Sequence, residues 1–391
     1  MKQSTNPLIF LLLLTSLFGQ DKAAAQEESL DRLLLQIRPR SEWRDGYNRL
    51  LQPGETATLY TDQRTRLTWE HKEKNWAFRL GFQGVREFGG LNGADPAYGS
   101  ASVAESWAAW KPTEKTKITI GRQIIAFDTE RIVGAVEWSQ TGRFLDGIRL
   151  DQTSKLGTTT AALTWDAPAA LTRVMLHQTK EINHHRFSLL HFSQLNSASP
   201  HASIHTSGAT WNLKPTSGWW GLLEVYGQST GASNTPVFMG AMELGHTSQQ
   251  LGNFKLGVDW LESDRRARAF NPFLGTNHRH YGWMDHFYVG APSNGMTNAH
   301  VEWKRPVINK EWNVDVRYHQ FFTATINERL AHEWDAVLVF NPTTFVNCSF
   351  GWSWMKGTSA MYAYQERVEP SNTWQQWGWV QLNFTPQMEW K

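Results

Sequence analysis

The sequence predicts an all-β protein, namely a transmembrane antiparallel up-and-down β-barrel of about 18 strands (16–18). Runs of roughly ten residues alternate apolar with polar side chains, and turn residues separate these runs. The mean hydropathy is −0.48 although the chain contains 21 Trp and 20 Phe. This combination is typical of a membrane barrel, because the hydropathies of its lumen-facing and lipid-facing residues cancel in any sequence window.

The N-terminus has the organisation of a secretory signal peptide. Lys2 precedes an apolar run at residues 8–18, and three alanines then offer a small-residue cleavage site before Gln26. The run is shorter than the roughly 17 residues that a membrane-spanning helix needs. We therefore expect residues 1–25 to be a signal peptide and residues 26–391 to form a single outer-membrane β-barrel domain.

Composition excludes a disulfide-stapled scaffold and says little about partners. Cys348 is the only cysteine, so no intrachain disulfide is possible. The 38 Lys and Arg residues nearly balance the 36 Asp and Glu residues. Any electrostatic function must therefore depend on where the charges lie and not on the net charge.

The strand pattern is clearest at residues 312–319, where every second side chain is apolar. The same alternation recurs at residues 59–70, 76–83, 254–260 and 346–354. A charge on the lipid-facing side of a barrel costs about 2–4 kcal/mol at the membrane midplane. We therefore expect one set to face lipid and the other to face the lumen: Trp312, Val314, Val316 and Tyr318 outward, and Asn313, Asp315, Arg317 and His319 inward.

The alternative is a soluble β-sandwich, in which the apolar face would form the core. The length of the chain without a domain boundary argues against it, and so do the aromatic residues near strand ends, among them Trp69, Trp374 and Trp377. The last strand also alternates up to Trp390, one residue before the chain ends. We expect this strand to pair with the first, to contact outer-membrane lipid, and to be recognised by the outer-membrane assembly machinery.

The connections come in two sizes, as in outer-membrane barrels with short turns at one rim and long loops at the other. The long ones are at residues 87–100, 127–142 and 263–280. The sequence leaves open whether the second or the third of these loops folds into the pore.

The alternation also predicts that arginines line the lumen and bind anionic solutes. A guanidinium group is always charged and matches the geometry of a carboxylate, so a constriction lined by such groups favours anions. The opposite possibility remains open, because pairing with Asp and Glu across the lumen would give a mixed, weakly selective interior. The predicted pore-lining residues are Arg38, Arg40, Arg64, Arg66, Arg79, Arg122, Arg143, Arg149 and Arg317.

Four segments resemble the alginate-export family of outer-membrane porins. They are IRPRSEWRDGY at residues 37–47, QRTRL at 63–67, the region from GRQ to GIRL at 121–150, and FLGTNHRHYGWMDHFYVG at 273–290. The resemblance implies a single-chain barrel with an Arg-rich lumen that passes an anionic uronate polysaccharide outward. The residues that match its pattern are Arg122 and Arg143 by motif, and Arg38, Arg40, Arg64 and Arg66 by strand position.

Other functional classes lack their signatures. No metal site and no cofactor is predicted, because none of the histidine pairs has a suitably spaced carboxylate or Cys partner. No nucleophile motif is present, so we expect no enzyme, and the dispersed basic residues do not suggest nucleic-acid binding. The histidine pairs are His184 and His185, His201 and His205, and His278 and His280.

Three hypotheses follow. The leading one is a channel in the outer membrane of a Gram-negative bacterium that passes anionic solutes by passive diffusion, with alginate or other uronate saccharides as candidate solutes. The alternative is a surface binding or adhesion barrel with a plugged lumen and functional extracellular loops. The third is a membrane hydrolase, which would show turnover in detergent.

Overall fold

A computed structural model describes residues 29–89, 101–231, 233–264, 268–287, 294–370 and 373–391. The expected signal peptide and parts of two predicted long loops, at 87–100 and 263–280, lie outside these ranges. Within the described residues, no helix is long and apolar enough to cross a membrane.

The described chain forms one antiparallel sheet, and a short helix α1 (Ser359–Tyr364) precedes the last long strand. The strands are β1 (Leu30–Asp45), β2 (Thr58–Lys72), β3 (Trp76–Glu87), β4 (Ser102–Thr113), β5 (Thr116–Gln123), β6 (Leu145–Ser154), β7 (Gly157–Asp166), β8 (Leu171–Ile182), β9 (His185–Asn196), β10 (Ile204–Thr216), β11 (Trp219–Thr230), β12 (Ser233–Ser248), β13 (Gly252–Leu261), β14 (Met296–Pro306), β15 (Trp312–Phe322), β16 (Arg329–Thr343), β17 (Val346–Gly357), β18 (Trp374–Phe384) and β19 (Gln387–Trp390).

The sheet closes on itself, because β1 pairs with β2 on one side and with β18 and β19 on the other. The last two strands lie end to end along β1. Ile37 is opposite Phe384, Leu34 is opposite Gln387, and the Leu35 N–H donates to the Pro386 carbonyl at 3.1 Å between them. Proline has no N–H to donate, which interrupts the strand without changing its register. The wall is therefore an 18-stranded barrel, as predicted.

The two faces of the wall are those that the alternation predicts. On β2, Leu67 and Trp69 are exposed whereas Arg64 and Arg66 are buried. An exposed apolar face on a large barrel is what a hydrocarbon environment requires. The prediction for Trp377 is wrong, since this ring is fully buried inside and its Nε1 donates to Glu42 at 2.9 Å. Trp377 and the outward-facing Val380 have opposite parity in β18, so the alternation in the sequence itself indicates that Trp377 faces inward.

The two rims differ in their connections. Asp31 is opposite Trp390 at one rim, here called the terminal rim, where the connections between the strands are short. The opposite rim, here called the loop rim, carries the long connections. Two of them bear on the lumen: loop A (residues 124–144) and loop B (residues 268–287).

The apolar core lies inside the barrel and is built largely from these loops. Val133 of loop A and Met284 and Phe287 of loop B are fully buried, together with Phe321 from the wall. The inward strand residues are mostly polar, so the apolar contacts in the lumen come from connections that have folded inward.

Candidate functional site

Loop A is bound to the β1–β2 wall through its backbone carbonyls. Arg38 donates to the carbonyls of Glu137 at 2.8 Å and Ser139 at 2.7 Å, and Arg40 donates to that of Trp138 at 3.0 Å. Three successive carbonyls pointing one way form an acceptor surface that a planar guanidinium fits. Both arginines are buried, so they hold the loop and are not free in a pore.

The carboxylate of Glu137 extends the same attachment. It lies 3.1 Å from Arg64 and 3.4 Å from Arg66. The Gln83 side chain donates to the Thr141 carbonyl at 2.7 Å. The structure therefore brings together the four arginines that were predicted from the first two strands, with loop A as their shared partner.

The other end of loop A reaches the far wall. Asp128 accepts a hydrogen bond from Ser188 at 2.7 Å and pairs with His177 at 2.9 Å. Arg131 lies 2.7 Å from Glu224 and 3.0 Å from Asp259. Loop A is thus tied to both sides and crosses the lumen.

Arg131 is an almost fully enclosed charge of this network. Burial disfavours its charged form, but Asp259 and the neighbouring acidic groups outweigh burial and hold the pKa of Arg131 well above its ordinary value. Removing either partner would leave an uncompensated buried charge, so the contact fixes the loop strongly.

Loop B is attached to loop A and to the wall. The Gly134 N–H donates to the Leu274 carbonyl at 2.9 Å, and Arg143 donates to the Leu274 and Gly275 carbonyls. The Met284 N–H donates to Glu333 of β16 at 2.8 Å. Arg143, which was predicted to line the pore, therefore joins the two loops.

A stack of planar groups spans the space between the loops and the wall. The Arg40 guanidinium lies 4.6 Å from the Trp138 ring, which is 5.1 Å from and nearly parallel to His278. The His278 ring lies 6.3 Å from Trp283, and the Arg317 guanidinium lies 4.6 Å from Trp283. A guanidinium group therefore lies over the aromatic ring at each end of the stack, an arrangement that is favourable in a partly dry lumen.

Two cavities meet at this stack. One of about 630 Å³ opens toward the loop rim, and one of about 400 Å³ opens toward the terminal rim. Both include Trp138, Thr276 and His278, so these residues form the constriction between them. The charged residues that line the two cavities are Arg40, Arg44, Asp62 and Asp285 on the loop side, and Glu130, Glu137, Arg279 and Arg317 on the terminal side.

Three further predicted arginines lie inside and are paired with carboxylates. Arg79 lies 2.8 Å from Glu105, and Arg149 lies 2.8 Å from Asp151. Arg317 lies 2.9 Å from Asp315 on its own strand. Such pairs offset much of the positive potential that the arginines alone would create.

Arg122 is not in the lumen, and this prediction is wrong. It is opposite Asp146, which is opposite the exposed Trp165, so all three side chains lie on the outward face. The guanidinium pairs with Asp146 at 2.7 Å. Ile120, two residues earlier, is exposed too. The alternation of β5 therefore places Arg122 outward, whereas the family motif had suggested the lumen.

The alternation of strands missed the loop residues that organise the lumen. Arg131, Trp138, His278, Trp283 and Arg279 all lie in loops A and B. A signal was present in loop A, because its apolar residues at 125, 127, 132 and 133 are unusual in a solvent-exposed connection.

The predicted histidine pairs do not come together as ligand sets. His278 pairs with Asp285 at 2.9 Å, whereas His280 is 3.1 Å from the Thr129 carbonyl. Burial lowers the pKa of His280 well below its ordinary value. No group of three His, Cys, Asp or Glu side chains in the described ranges is placed to hold a metal ion.

No family model matches the sequence, and no curated protein matches it. Solved structures do match. OpdG (OccK9) of Pseudomonas aeruginosa superposes with a TM-score of 0.68 at 10% identity over 92% of this chain and 98% of its own. OpdK of the same species, solved with vanillate, has a TM-score of 0.65 at 11% identity over 92% and 99%. OccAB4 of Acinetobacter baumannii has a TM-score of 0.63 at 13% identity over 93% and 99%.

These comparisons establish the fold. The chain shares the complete barrel of this group, and another structure of OpdK is described as an outer membrane protein. The comparisons support the resemblance to the alginate-export family only as far as the β-barrel fold.

Proposed function

We propose that the protein is a passive channel of a Gram-negative outer membrane that conducts small anionic solutes between loops A and B. The observation that carries the proposal is the pair of cavities that share Trp138, Thr276 and His278 across the lumen. Solutes would cross by diffusion, with polar groups of the wall replacing part of their hydration.

Arg279 is the residue most suited to attract the anion. Its side chain is 58% exposed, and its contact with Glu130 is long, at 3.9 Å. The other cations at the cavities are engaged more closely, as Arg40 is with Glu42 at 2.8 Å. A partly solvated guanidinium in a confined space raises the local concentration of anions.

The aromatic groups favour a small planar anion over a polymer. Trp138, His278 and Trp283 line one of the cavities, where their aromatic rings would contact a planar carboxylate. The neighbour OpdK was solved with vanillate, which is such a compound. A uronate polysaccharide, which the sequence resemblance implied, would require loops A and B to leave the lumen, although both are tied to its walls.

Planar-bilayer recording of the full-length protein tests the proposal. In a KCl gradient we expect a steady conductance with a reversal potential of the sign for anion preference. Arg279→Gln should move that potential toward zero, because it removes the least-neutralised cation. The matched control is Arg122→Gln, which changes an outward arginine and should leave the potential at the wild-type value.

Addition of vanillate tests whether the channel binds a planar anion or conducts anions in general. We expect vanillate to reduce the KCl current, and Trp138→Ala to weaken that reduction while raising the conductance. Cation preference of the wild-type protein would contradict the proposal, and so would an Arg279→Gln variant with unchanged selectivity.

A plugged barrel with functional loops is the second candidate. The observation in its favour is that Arg38, Arg40 and Arg64 are all used to hold loop A across the lumen. The same recordings decide between the two, because a plugged barrel gives no steady conductance in any variant that retains loop A.

A further inference from the structure

The outward face of β16, β17 and β18 carries an open apolar groove near the loop rim. Trp334 is opposite Trp354, and Trp374 lies one row nearer the rim. These three exposed rings line a groove of about 370 Å³. Because they lie on the lipid-facing side of the wall, the groove opens to the membrane and not to the lumen.

A row of basic groups borders the groove on its rim side. His332 is opposite Lys356, which is opposite Trp374. The Lys356 ammonium lies 5.7 Å from the Trp374 ring, and the His332 ring meets the same indole edge-on at 5.5 Å. Arg329, which begins β16 at the same rim, is exposed.

The two permanent cations of this row are not neutralised by any carboxylate that the structure describes. Among the described residues, no carboxylate lies within 4.0 Å of Arg329 or Lys356. Arg122, on β5 near the same rim, is by contrast paired with Asp146 at 2.7 Å. Unpaired cations beside a membrane surface attract anionic headgroups, with about 1 kcal/mol for each Lys or Arg.

We propose that this surface binds one phosphate-bearing lipid of the leaflet around the loop rim. Its phosphate would contact Arg329 and Lys356, and one acyl chain would lie in the groove of Trp334, Trp354 and Trp374. The order of the groups matches that of a lipid, since Arg329 and Lys356 lie nearer the aqueous rim than Trp334 and Trp354, which lie toward the hydrocarbon. The proposal depends on the outer face of the barrel and is independent of what the lumen conducts.

Native mass spectrometry of the full-length protein in detergent tests this, with diphosphoryl lipid A as the probe and phosphatidylcholine as the zwitterionic comparison. We expect one lipid A to remain bound under conditions that remove phosphatidylcholine. The double variant Arg329→Gln/Lys356→Gln should bind lipid A about 30-fold more weakly, since two cations contribute. Trp354→Ala should also weaken binding, because it removes one wall of the groove.

The matched control is Arg86→Gln. Arg86 is an exposed cation of the loop rim that shares the outward face with Phe82, and its described neighbours on that face, such as Gln63, include no tryptophan. Binding to Arg86→Gln should equal that of the wild type. Heat-modifiable electrophoretic mobility checks that each variant is folded, and the double variant should keep the wild-type conductance.

Three results would overturn the proposal. The first is equal retention of lipid A by the wild type and by the folded double variant. The second is equal retention of lipid A and phosphatidylcholine, which would indicate only the annular lipid of any barrel. The third is an equal loss in Arg86→Gln, which would make the effect one of rim charge in general.

Discussion

At the scale of the residue, Arg131 shows how a loop side chain organises the interior. It comes from loop A, and three acidic side chains of the wall surround its guanidinium: Glu224 at 2.7 Å, Asp259 at 3.0 Å and Glu243 at 3.8 Å. The free-energy cost of desolvating a buried cation offsets much of its attraction to the carboxylates. Such a contact therefore fixes the position of the loop more than it adds to the net stability. Its function is therefore to keep loop A across the lumen.

Replacement of Arg131 by Met should release that end of the loop. The change leaves Glu224 and Asp259 buried without a cation, which costs about 3–5 kcal/mol. We expect a lower free energy of unfolding in urea and a larger, noisier single-channel current. Arg149→Met is the control, because the Arg149–Asp151 pair is more exposed and should cost about 1 kcal/mol or less. Equal effects of the two variants would contradict this role.

Residue placements could be predicted wherever a strand alternated without interruption. Arg64 and Arg66 have the opposite parity to exposed neighbours such as Leu67, and like Arg38 they are buried inside the barrel. The prediction for Arg122 was wrong because it followed a motif. The alternation of β5 gives Arg122 the same parity as Ile118 and Ile120, which indicates the outward face. What the sequence could not supply was the partner of each arginine, since loop carbonyls that bind Arg38 lie about a hundred positions away.

At the scale of the element, loops A and B are parts of the core rather than surface connections. Their buried apolar residues, such as Val133 and Phe287, pack against each other and the wall. The strands were predictable because their period is local, whereas loop docking depends on contacts between distant segments. Loop length therefore left open whether loops A and B fold into the lumen.

The docking of loop B should depend on pH through His286. This ring is buried, its Nδ1 accepts a hydrogen bond from Gln365 at 3.0 Å, and burial lowers its pKa to about 4. The docked state therefore prefers neutral His286, whose pKa when the loop is released is about 6.5. Docking is fully favoured above that value and loses about 3 kcal/mol as the pH falls toward 4.

Hydrogen exchange of residues 281–287 measures this dependence. We expect faster exchange at pH 4.5 than at pH 7 after correction for the intrinsic rate. His286→Asn, which does not titrate, should exchange at the same corrected rate at both values. Equal protection of the wild-type segment at both values would show that His286 does not control the docking.

At the scale of the whole molecule, closure of the sheet allows an apolar exterior. An open edge would expose unpaired backbone groups to hydrocarbon, at several kcal/mol for each group. Closure was predictable from the alternation of the last strand up to Trp390. The interruption at Pro386 could be located but not interpreted from the sequence, because only the pairing with β1 shows that the register continues across it.

Removal of residues 387–391 should therefore destabilise the entire barrel. It deletes β19 and leaves the first residues of β1, from Asp31 to Leu34, without their partners on one side. We expect a large loss of folded, heat-modifiable protein on refolding into detergent. Glu389→Gln is the control, because it removes only the half-exposed ion pair with Arg32 at 2.6 Å, and such a pair contributes about 1 kcal/mol or less. Folding of the truncated chain with wild-type yield and unfolding midpoint would show that β18 alone closes the barrel.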